Sequence, residues 1–373
     1  MRGGIAWRNL TRERTRLAIS AGGVAFAVLL ILLLRGLYSG FLDQATEYVR
    51  SVDADLWVAQ AGTPGDFSHS VSLQPADRAA QIRSVESVRR VTPLLGRRVR
   101  LGSNGGGSGG HVDVYLLGID PATGVGGPPA MEQGRRIPGR GEIVVDRVLA
   151  QNQGLEVGDS VDVGGVELRI VGIARGGNTI VSQFAWATAK DAEQALGLTD
   201  IVNYFLVSTQ GSPRTAADAI TRSVEGTRVF TKAEFAEANT EIITESFLPI
   251  ILVLVVIAFA IGTAVIGLTI YTATLEKRRE YGVLKAIGFS NRRLYGVVWQ
   301  QTFIASAIGL VLGAVLTWGV ASLVEGLLPS FVVTLGAGDV ALVAAVSAGM
   351  ALVASFLPMR PVARLDPAQV FRV

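Results

Sequence analysis

The sequence contains no cysteine, only two histidines and only 17% charged residues. Without cysteine there are no disulfides, no lipid-modified cysteine and no thiolate metal site. His69 and His111 stand far apart in predicted loops, so neither is expected to be a metal ligand. Because soluble globular proteins carry about 25% charged residues, this low charge indicates a membrane protein.

The chain also lacks any Gly-Lys pair, which the phosphate-binding loop of a P-loop nucleotidase requires. The glycine-rich stretch Gly102–Gly110, "GSNGGGSGG", is therefore interpreted as a flexible loop between two strands. The spacing of serine, histidine and aspartate suggests no catalytic set. We expect a non-catalytic protein that binds no cofactor or nucleic acid itself.

Four apolar runs are long enough to cross a bilayer, which takes about 20 residues. The first is interpreted as an uncleaved span rather than a signal peptide, because no A-x-A cleavage site follows it. The predicted organisation is a cytoplasmic amphipathic segment (1–16), spans at 17–40, 247–272, 297–324 and 340–357, an extracytoplasmic domain (41–246), a cytoplasmic connection (273–296), a short extracytoplasmic loop (325–339) and a cytoplasmic tail (358–373).

The distribution of charge predicts the orientation. Residues 1–16, 274–296 and 359–373 carry net charges of +4, +4 and +2, while the whole chain is +3, so the remainder carries −7. Positive loops stay in the cytoplasm, which places both termini there and residues 41–246 outside. Arg35, near the outer end of the first span, is expected to extend to the outer interface; a buried functional charge is the alternative.

The extracytoplasmic segment has the mixed pattern of an α+β domain. Alternating apolar residues predict strands at Ala54–Gly62 and His111–Ile119 and a hairpin within Leu155–Ala174. Asp146 and Thr188 are predicted to cap helices. Thr231 and Glu234 have capping-box spacing, and the helix that starts there is expected to continue without a break into the second span.

The connection between the second and third spans, "LEKRREYGVLKAIGFSNRRL" from Leu275 to Leu294, combines a basic cluster with an apolar stripe. Read as a helix from Glu276 to Ile287, it places Tyr281, Leu284 and Ile287 on one face. Gly282 interrupts that face, and Gly288 is a helix-ending residue. Two interpretations stay open from the residues alone: an amphipathic helix lying on lipid, or a surface that docks a partner.

The chain resembles the MacB/FtsX-like permeases of ABC transporters, over nearly its whole length. "LEVGDSVDVGGVELRIVGIA" is similar to a signature of their periplasmic core, and "EKRREYGVLKAIGFSNRRL" to their coupling segment. "RPVARLDPAQVFR" is similar to their C-terminal tail, and "DADLWVAQAGTP" to the DevC-like branch. The implied fold is four transmembrane helices plus a MacB-core-like α+β domain, in the bacterial plasma membrane.

In that family the coupling segment docks into a cytoplasmic ATPase dimer, which binds ATP and Mg²⁺. The resemblance implies a second copy of this subunit or a close relative, contact with membrane lipid and, in some members, an extracytoplasmic adaptor. The function that the resemblance implies for the chain is export of a lipid, drug or peptide-like cargo. The alternative is an FtsX-type regulator that signals to a cell-wall hydrolase. The expected ATPase-coupling residues are Glu280, Tyr281, Gly282, Leu284, Lys285, Ile287 and Gly288, with Lys277, Arg278 and Arg279 as a membrane-surface anchor.

The third span contains a small-xxx-small motif, Gly309–Gly313, which permits close approach of another helix. Two partners for this motif stay open. One is a second copy of the chain, which would make the motif a dimer contact. The other is a neighbouring span of the same chain.

Overall fold

The structure is a computed structural model, and it describes residues 14–65, 67, 72–103, 111–177, 183–328 and 330–363. The chain divides into two compact units. The first, which we call the membrane unit, comprises Met1–Gly40 and Phe247–Val373. The second, the sheet unit, comprises Phe41–Ser246. Of the predicted segments, most of 1–16, the loop residues 104–110 and most of the tail lie outside the described residues.

Nine helices lie within the described residues. They are α1 (Arg14–Ser51), α2 (Arg78–Arg83), α3 (Arg147–Gln153), α4 (Ala189–Leu196), α5 (Pro213–Ser223), α6 (Lys232–Glu276), α7 (Arg278–Ala286), α8 (Asn291–Leu327) and α9 (Ala337–Ala363). Helices α1, α6, α8 and α9 are long and apolar enough to cross a membrane. Each contains one of the four predicted apolar runs, which confirms the four-helix part of the predicted fold class.

Twelve strands lie within the described part of the sheet unit. They are β1 (Leu56–Gln60), β2 (Gln74–Pro75), β3 (Val88–Ser103), β4 (Val112–Ile119), β5 (Ala130–Gly134), β6 (Glu142–Asp146), β7 (Ser160–Val163), β8 (Val166–Arg175), β9 (Gln183–Thr188), β10 (Ile201–Val202), β11 (Tyr204–Thr209) and β12 (Thr227–Thr231). Ten of them form one sheet in the order β12-β1-β11-β3-β4-β9-β6-β8-β5, with β7 bridging β3 and β8. Strands β2 and β10 form a separate pair.

Part of the large sheet closes on itself. Strand β3 pairs with β11 through Val88–Leu94, with β4 through Leu95–Leu101, and with β7 through Leu101–Ser103. Since β7 also pairs with β8, strands β3, β4, β9, β6, β8 and β7 form a ring. Residues two positions apart on five of these strands join one buried cluster, as the two-residue period of a strand requires: Val114 and Leu116, Ile143 and Val145, Val161 and Val163, Leu168 and Ile170, and Ala185 and Ala187. Strand β3 contributes Leu95 and Leu101, an even number of positions apart.

The opposite face of β4 and β9 is also buried, against a cluster of aromatic rings that we call the aromatic cluster. The cluster joins the sheet to the parts of α1 and α6 that belong to the sheet unit, since Tyr48 comes from α1 and Phe235 from α6. Trp57 stacks on Phe235 with ring centroids 4.7 Å apart, and Tyr48 meets Phe184 edge-on at 5.4 Å. The nine aromatic members are Tyr48, Trp57, Phe67, Tyr115, Phe184, Trp186, Tyr204, Phe230 and Phe235.

The predicted helix ends of the sheet unit are present. The Asp146 side chain accepts a hydrogen bond from the Val148 amide, and that of Thr188 accepts one from the Asp191 amide. At the start of α6 the capping box is reciprocal. The Thr231 amide donates to Glu234 Oε2 at 2.9 Å, and the Glu234 amide donates to Thr231 Oγ1 at 3.2 Å. These contacts confirm the local predictions, because each depends only on residues within one turn.

Asp146 is buried more deeply than its capping role requires, with only 1% of its surface exposed. Its Oδ1 accepts from the Val148 amide at 2.8 Å, while its Oδ2 has no hydrogen-bond partner among the described residues. Burial raises the pKa of this carboxyl group from 3.8 to about 6. Between pH 3.8 and about pH 6, the carboxyl group of Asp146 is therefore mostly protonated in the folded protein and mostly ionised in the unfolded chain.

We expect this carboxyl group to destabilise the sheet unit as pH rises from about 4 to about 6, by about 3 kcal/mol when fully ionised. Asp146→Asn keeps an acceptor for the Val148 amide and cannot ionise. The variant should therefore be more stable than the wild type at pH 7.5 and similar to it at pH 4. Thermal unfolding of the full chain, followed by tryptophan fluorescence at both pH values, measures this; Asp113→Asn, at an exposed position, is the control. Parallel pH dependence of wild type and Asp146→Asn would contradict the assignment.

Candidate functional site

The charged connection between the second and third spans forms a short, separate helix. Helix α6 ends at Glu276, and α7 begins at Arg278. Only Lys277 interrupts them, and helical hydrogen bonds continue across it: Lys277 N–H donates to the Ala273 carbonyl at 3.2 Å, and Tyr281 N–H to the Lys277 carbonyl at 3.0 Å. Since few degrees of freedom lie between them, α7 and the end of α6 are expected to move together.

Helix α7 ends in a Schellman motif at Gly288. This glycine has φ +95°, the left-handed conformation that a Cβ disfavours. Its amide donates to the Lys285 carbonyl and the Phe289 amide to the Leu284 carbonyl, both at 3.0 Å. Ser290 then stands at the N-cap of α8, although its side chain makes no capping hydrogen bond. The predicted stop at Gly288 is therefore present.

One face of α7 is buried within the membrane unit. Tyr281 is only 5% exposed and packs with Leu294 of α8 in a small cluster that Leu284 and Tyr295 complete. Gly282 is buried beside it. The prediction that Tyr281, Leu284 and Ile287 form one outward docking face is therefore wrong in part. Tyr281 packs α7 against α8 and does not face outward. Helical spacing shows which residues share a face, but it does not show which partner covers that face.

The outward apolar surface consists of Val283, Ile287 and Phe289, which we call the outer patch. Their exposed fractions are 41%, 72% and 37%. Of these, the sequence prediction included only Ile287. Val283 lies one turn before Ile287 at i, i+4 spacing, a signal that would have found it. Phe289 follows the helix-ending glycine, and the Arg293 guanidinium lies 5.7 Å from its ring centroid.

Charged side chains surround the outer patch. Glu280, Arg278 and Arg279 are exposed, and Lys277 and Lys285 are half-buried. Gly288 is exposed at the turn. An apolar centre with a charged rim is the anatomy of a protein interface.

The N-terminal end of the first span is tied to this region. Arg16 of α1 forms an ion pair with Glu276, the last residue of α6. A cavity of about 40 Å³ lies beside the pair, large enough for a water molecule. The ten residues that line it come from α1, α6, α7, α8 and the residue between α6 and α7: Arg16, Leu17, Ser20, Thr269, Ile270, Ala273, Lys277, Tyr281, Gln301 and Ala305.

Gly309 and Gly313 of α8 face the first span of the same chain. A Cβ on Gly309 would lie 2.5 Å from Val24 Cβ, and one on Gly313 would lie 2.6 Å from Val28 Cβ. Both glycines are buried within the membrane unit. Of the two partners that the sequence left open for this motif, the structure shows the neighbouring span of the same chain.

Models of two protein families match this chain. The FtsX-like permease C-terminal domain matches residues 251–367, which include α7 and the outer patch. The MacB-like periplasmic core domain matches residues 17–224, more than half of the chain.

Several curated proteins are similar along the whole length. Two uncharacterized ABC transporter permeases of Mycobacterium tuberculosis H37Rv are 26% and 27% identical over 371 and 372 residues, covering 98% of this chain and 97% and 98% of the relatives. The macrolide export ATP-binding/permease protein MacB of Bordetella avium is 25% identical over 248 residues, which cover 61% of this chain and 37% of that protein.

Two solved structures are similar to about half of the chain. The periplasmic region of MacB from Actinobacillus actinomycetemcomitans has a TM-score of 0.39 and 11% identity, covering 51% of this chain and 94% of that one. The extracellular domain of the transporter YknZ has a TM-score of 0.35 and 13% identity, covering 48% of this chain and 98% of that one.

Proposed function

The chain belongs to the FtsX-like ABC transporter permeases that carry a MacB-like periplasmic core domain, and on that basis we propose how it works. It is the membrane subunit that couples ATP hydrolysis by a separate cytoplasmic ATPase to export, or to extracytoplasmic conformational work, on a lipid, drug or peptide-like cargo. ATP and Mg²⁺ are bound by the ATPase dimer. The M. tuberculosis relatives, which match this chain over 97% and 98% of their own length, are named as permeases, and this supports the role of membrane subunit.

The observation that carries the proposal is the outer patch. Ile287 is the most exposed of its three residues, at 72%, and it stands on a helix whose opposite face is fixed by Tyr281. Exposed apolar surface with a charged rim favours a protein partner. Val283, Ile287 and Phe289 are the proposed docking groups for the ATPase. Glu280 and Lys285, at the rim, are proposed to make polar contacts.

The route of coupling follows from chain continuity. A displacement of α7 passes through Lys277 to α6, which is a single helix from Lys232 to Glu276. Phe235 of that helix packs in the aromatic cluster of the sheet unit. The ion pair between Arg16 and Glu276 links α1 to the end of α6, so a displacement of α6 also displaces α1.

The proposed assembly contains two permease subunits, identical or closely related, with two ATPase subunits. The net positive charge of residues 1–16, 274–296 and 359–373 favours a protein of the bacterial plasma membrane with cytoplasmic termini and an extracytoplasmic sheet unit. Because Gly309 and Gly313 pack against α1, the contact between permeases uses another surface. An extracytoplasmic adaptor is a further partner of the sheet unit.

The test is co-purification of the full chain with the ATPase encoded beside it, using two opposite charges at one position. Ile287→Glu and Ile287→Lys should each weaken the complex by about tenfold or more, because both place a charge in the apolar centre of the contact. Val157→Glu, at a position 43% exposed in the sheet unit, is the matched control and should leave the complex intact.

The lysine variant separates docking from simple lipid contact. If the outer patch only lies on anionic lipid, Ile287→Lys should be tolerated, since lysine binds that surface. Normal co-purification of Ile287→Lys would therefore contradict the proposal. Membrane insertion of every variant is checked first, so that loss of the complex is not loss of the protein.

A further inference from the structure

Arg35 is a charged residue within the first membrane span. Its Nε donates to Asp339 Oδ1 at 2.7 Å, and 39% of its side chain is exposed. Its partner is 304 positions away, near the start of α9. An arginine within an apolar span is costly unless its donors are satisfied or reach the interface, and such residues are by default candidates for function.

The pairing with Asp339 uses only one edge of the guanidinium. Asp339 Oδ1 accepts from Arg35 Nε, and its Oδ2 accepts from the Gly336 amide at 2.9 Å. Both carboxylate oxygens are therefore occupied, and the side chain is only 12% exposed. The terminal Nη1 and Nη2 groups of Arg35 have no hydrogen-bond partner among the described residues. They form the fork that matches two oxygens of a phosphate.

Neighbouring groups fix the plane of that fork. The Arg35 guanidinium carbon lies 5.7 Å from the centroid of the buried Tyr38 ring, a cation–π contact. The next residue, Gly36, accepts a hydrogen bond from the Thr334 amide at 3.1 Å, which ties α1 to the segment before α9. A guanidinium held in this way loses little conformational entropy when it binds an anion.

We propose that Arg35 binds the phosphate group of a membrane phospholipid, with Asp339 as the residue that positions it. The site lies at the end of the first span that precedes the sheet unit, which is the outer leaflet in the orientation proposed above; only the choice of leaflet rests on that proposal. A lipid is favoured over free phosphate because apolar side chains beside Asp339 and in the segment before it are exposed, with Leu335, Val340 and Leu342 at 39%, 47% and 51%. Acyl chains can lie against these side chains.

The experiment measures lipid retention by the purified full chain in nanodiscs, followed by native mass spectrometry. The probes are dioleoylphosphatidylglycerol, dioleoylphosphatidylcholine and phosphate-free dioleoylglycerol. The wild type should retain both phospholipids and not dioleoylglycerol. Arg35→Gln should lower phospholipid retention by about tenfold or more, and Arg35→Lys should retain an intermediate amount, because lysine keeps the charge without the fork.

Matched variants distinguish loss of lipid binding from misfolding. Arg35→Gln leaves Asp339 unpaired, so the double variant Arg35→Gln/Asp339→Asn, which carries neither charge, is measured beside it. It should insert normally and still lose the lipid. Arg50→Gln removes the same charge from an exposed position further along α1 and should retain lipid as the wild type does.

Two results would overturn the proposal. Equal phospholipid retention by the wild type, Arg35→Gln and the double variant would show that Arg35 is solvated by water and binds no lipid phosphate. Displacement of the phospholipid by millimolar inorganic phosphate, with equal binding of phosphate alone, would indicate a free-anion site. Neither result depends on the ATPase, so failure here is distinct from failure of the coupling proposal.

Discussion

Gly313→Leu is expected to abolish folding of the membrane unit, while Gly319→Leu in the same helix leaves it folded. A Cβ at Gly313 would lie 2.6 Å from Val28 Cβ and 2.7 Å from the Ala25 carbonyl oxygen. The second contact is with backbone, so no change of side-chain rotamer relieves it. Gly309, one turn earlier, makes the same kind of contact, with a Cβ 2.5 Å from Val24 Cβ.

Even one added methyl group in such a contact costs about 1–3 kcal/mol, and leucine adds a branched side chain. The whole of α8 would have to move away from α1, which supplies five of the twelve buried residues in the core cluster of the membrane unit. The measurement is the yield of monodisperse protein in fluorescence-detected size exclusion. Gly313→Ala should give a reduced yield and Gly313→Leu almost none.

Gly319 is the matched control because, among the described residues, no atom beyond its own helical turn lies within 4 Å of the position that a Cβ would take. Leucine there adds helix propensity and apolar surface without a clash. The same experiment separates the two possible partners of the motif. A stable, folded monomer of Gly313→Leu would mean that the glycines pack a dimer, and it would contradict the contact with α1.

Trp57→Ala is expected to destabilise the sheet unit by about 3–5 kcal/mol, a large share of the total stability of about 5–15 kcal/mol of most domains. Trp57 is completely buried. It stacks on Phe235 of α6 at 4.7 Å and meets Tyr204 of β11 edge-on at 5.6 Å. Its removal leaves a cavity where the sheet-unit parts of α1 and α6 pack on the sheet.

Limited proteolysis of the full chain measures this effect, because local unfolding exposes cleavage sites within the sheet unit. Trp57→Phe keeps an aromatic ring and should lose much less stability. Trp318→Ala removes the same side chain from a position that is 75% exposed on α8, and it should leave the proteolysis pattern unchanged. Equal resistance of Trp57→Ala and wild type would contradict the role of the cluster.

Features with local causes could be predicted from the sequence. The caps at Asp146, Thr188 and Thr231 each depend on a hydrogen bond within one turn, so the residue types predict them directly. The four spans follow from uninterrupted apolar composition. The stop at Gly288 follows from the freedom of glycine to adopt positive φ.

Features with distant partners could not be predicted. Which face of α7 points outward is determined by Leu294 of α8, which covers Tyr281. The partner of the glycine motif of α8 is determined by α1, which packs against it. Asp339 is separated from Arg35 by almost the whole chain. Periodicity and spacing predict which residues share a face, but tertiary packing decides what each face meets.

Closure of the strand ring limits how a partner can join the sheet. An incoming strand needs a row of unpaired backbone amides and carbonyls, and a ring offers none along its seams. In the described part of the large sheet, such rows remain on the outer edges of β5 and β12, the two ends of the strand order, and on the second edge of Val88–Leu94 in β3, which pair only with β11. Strand β5 is the more accessible, since four of its five residues are exposed. Backbone-mediated strand addition is thus disfavoured along the seams of the ring, and recognition there depends on side-chain chemistry.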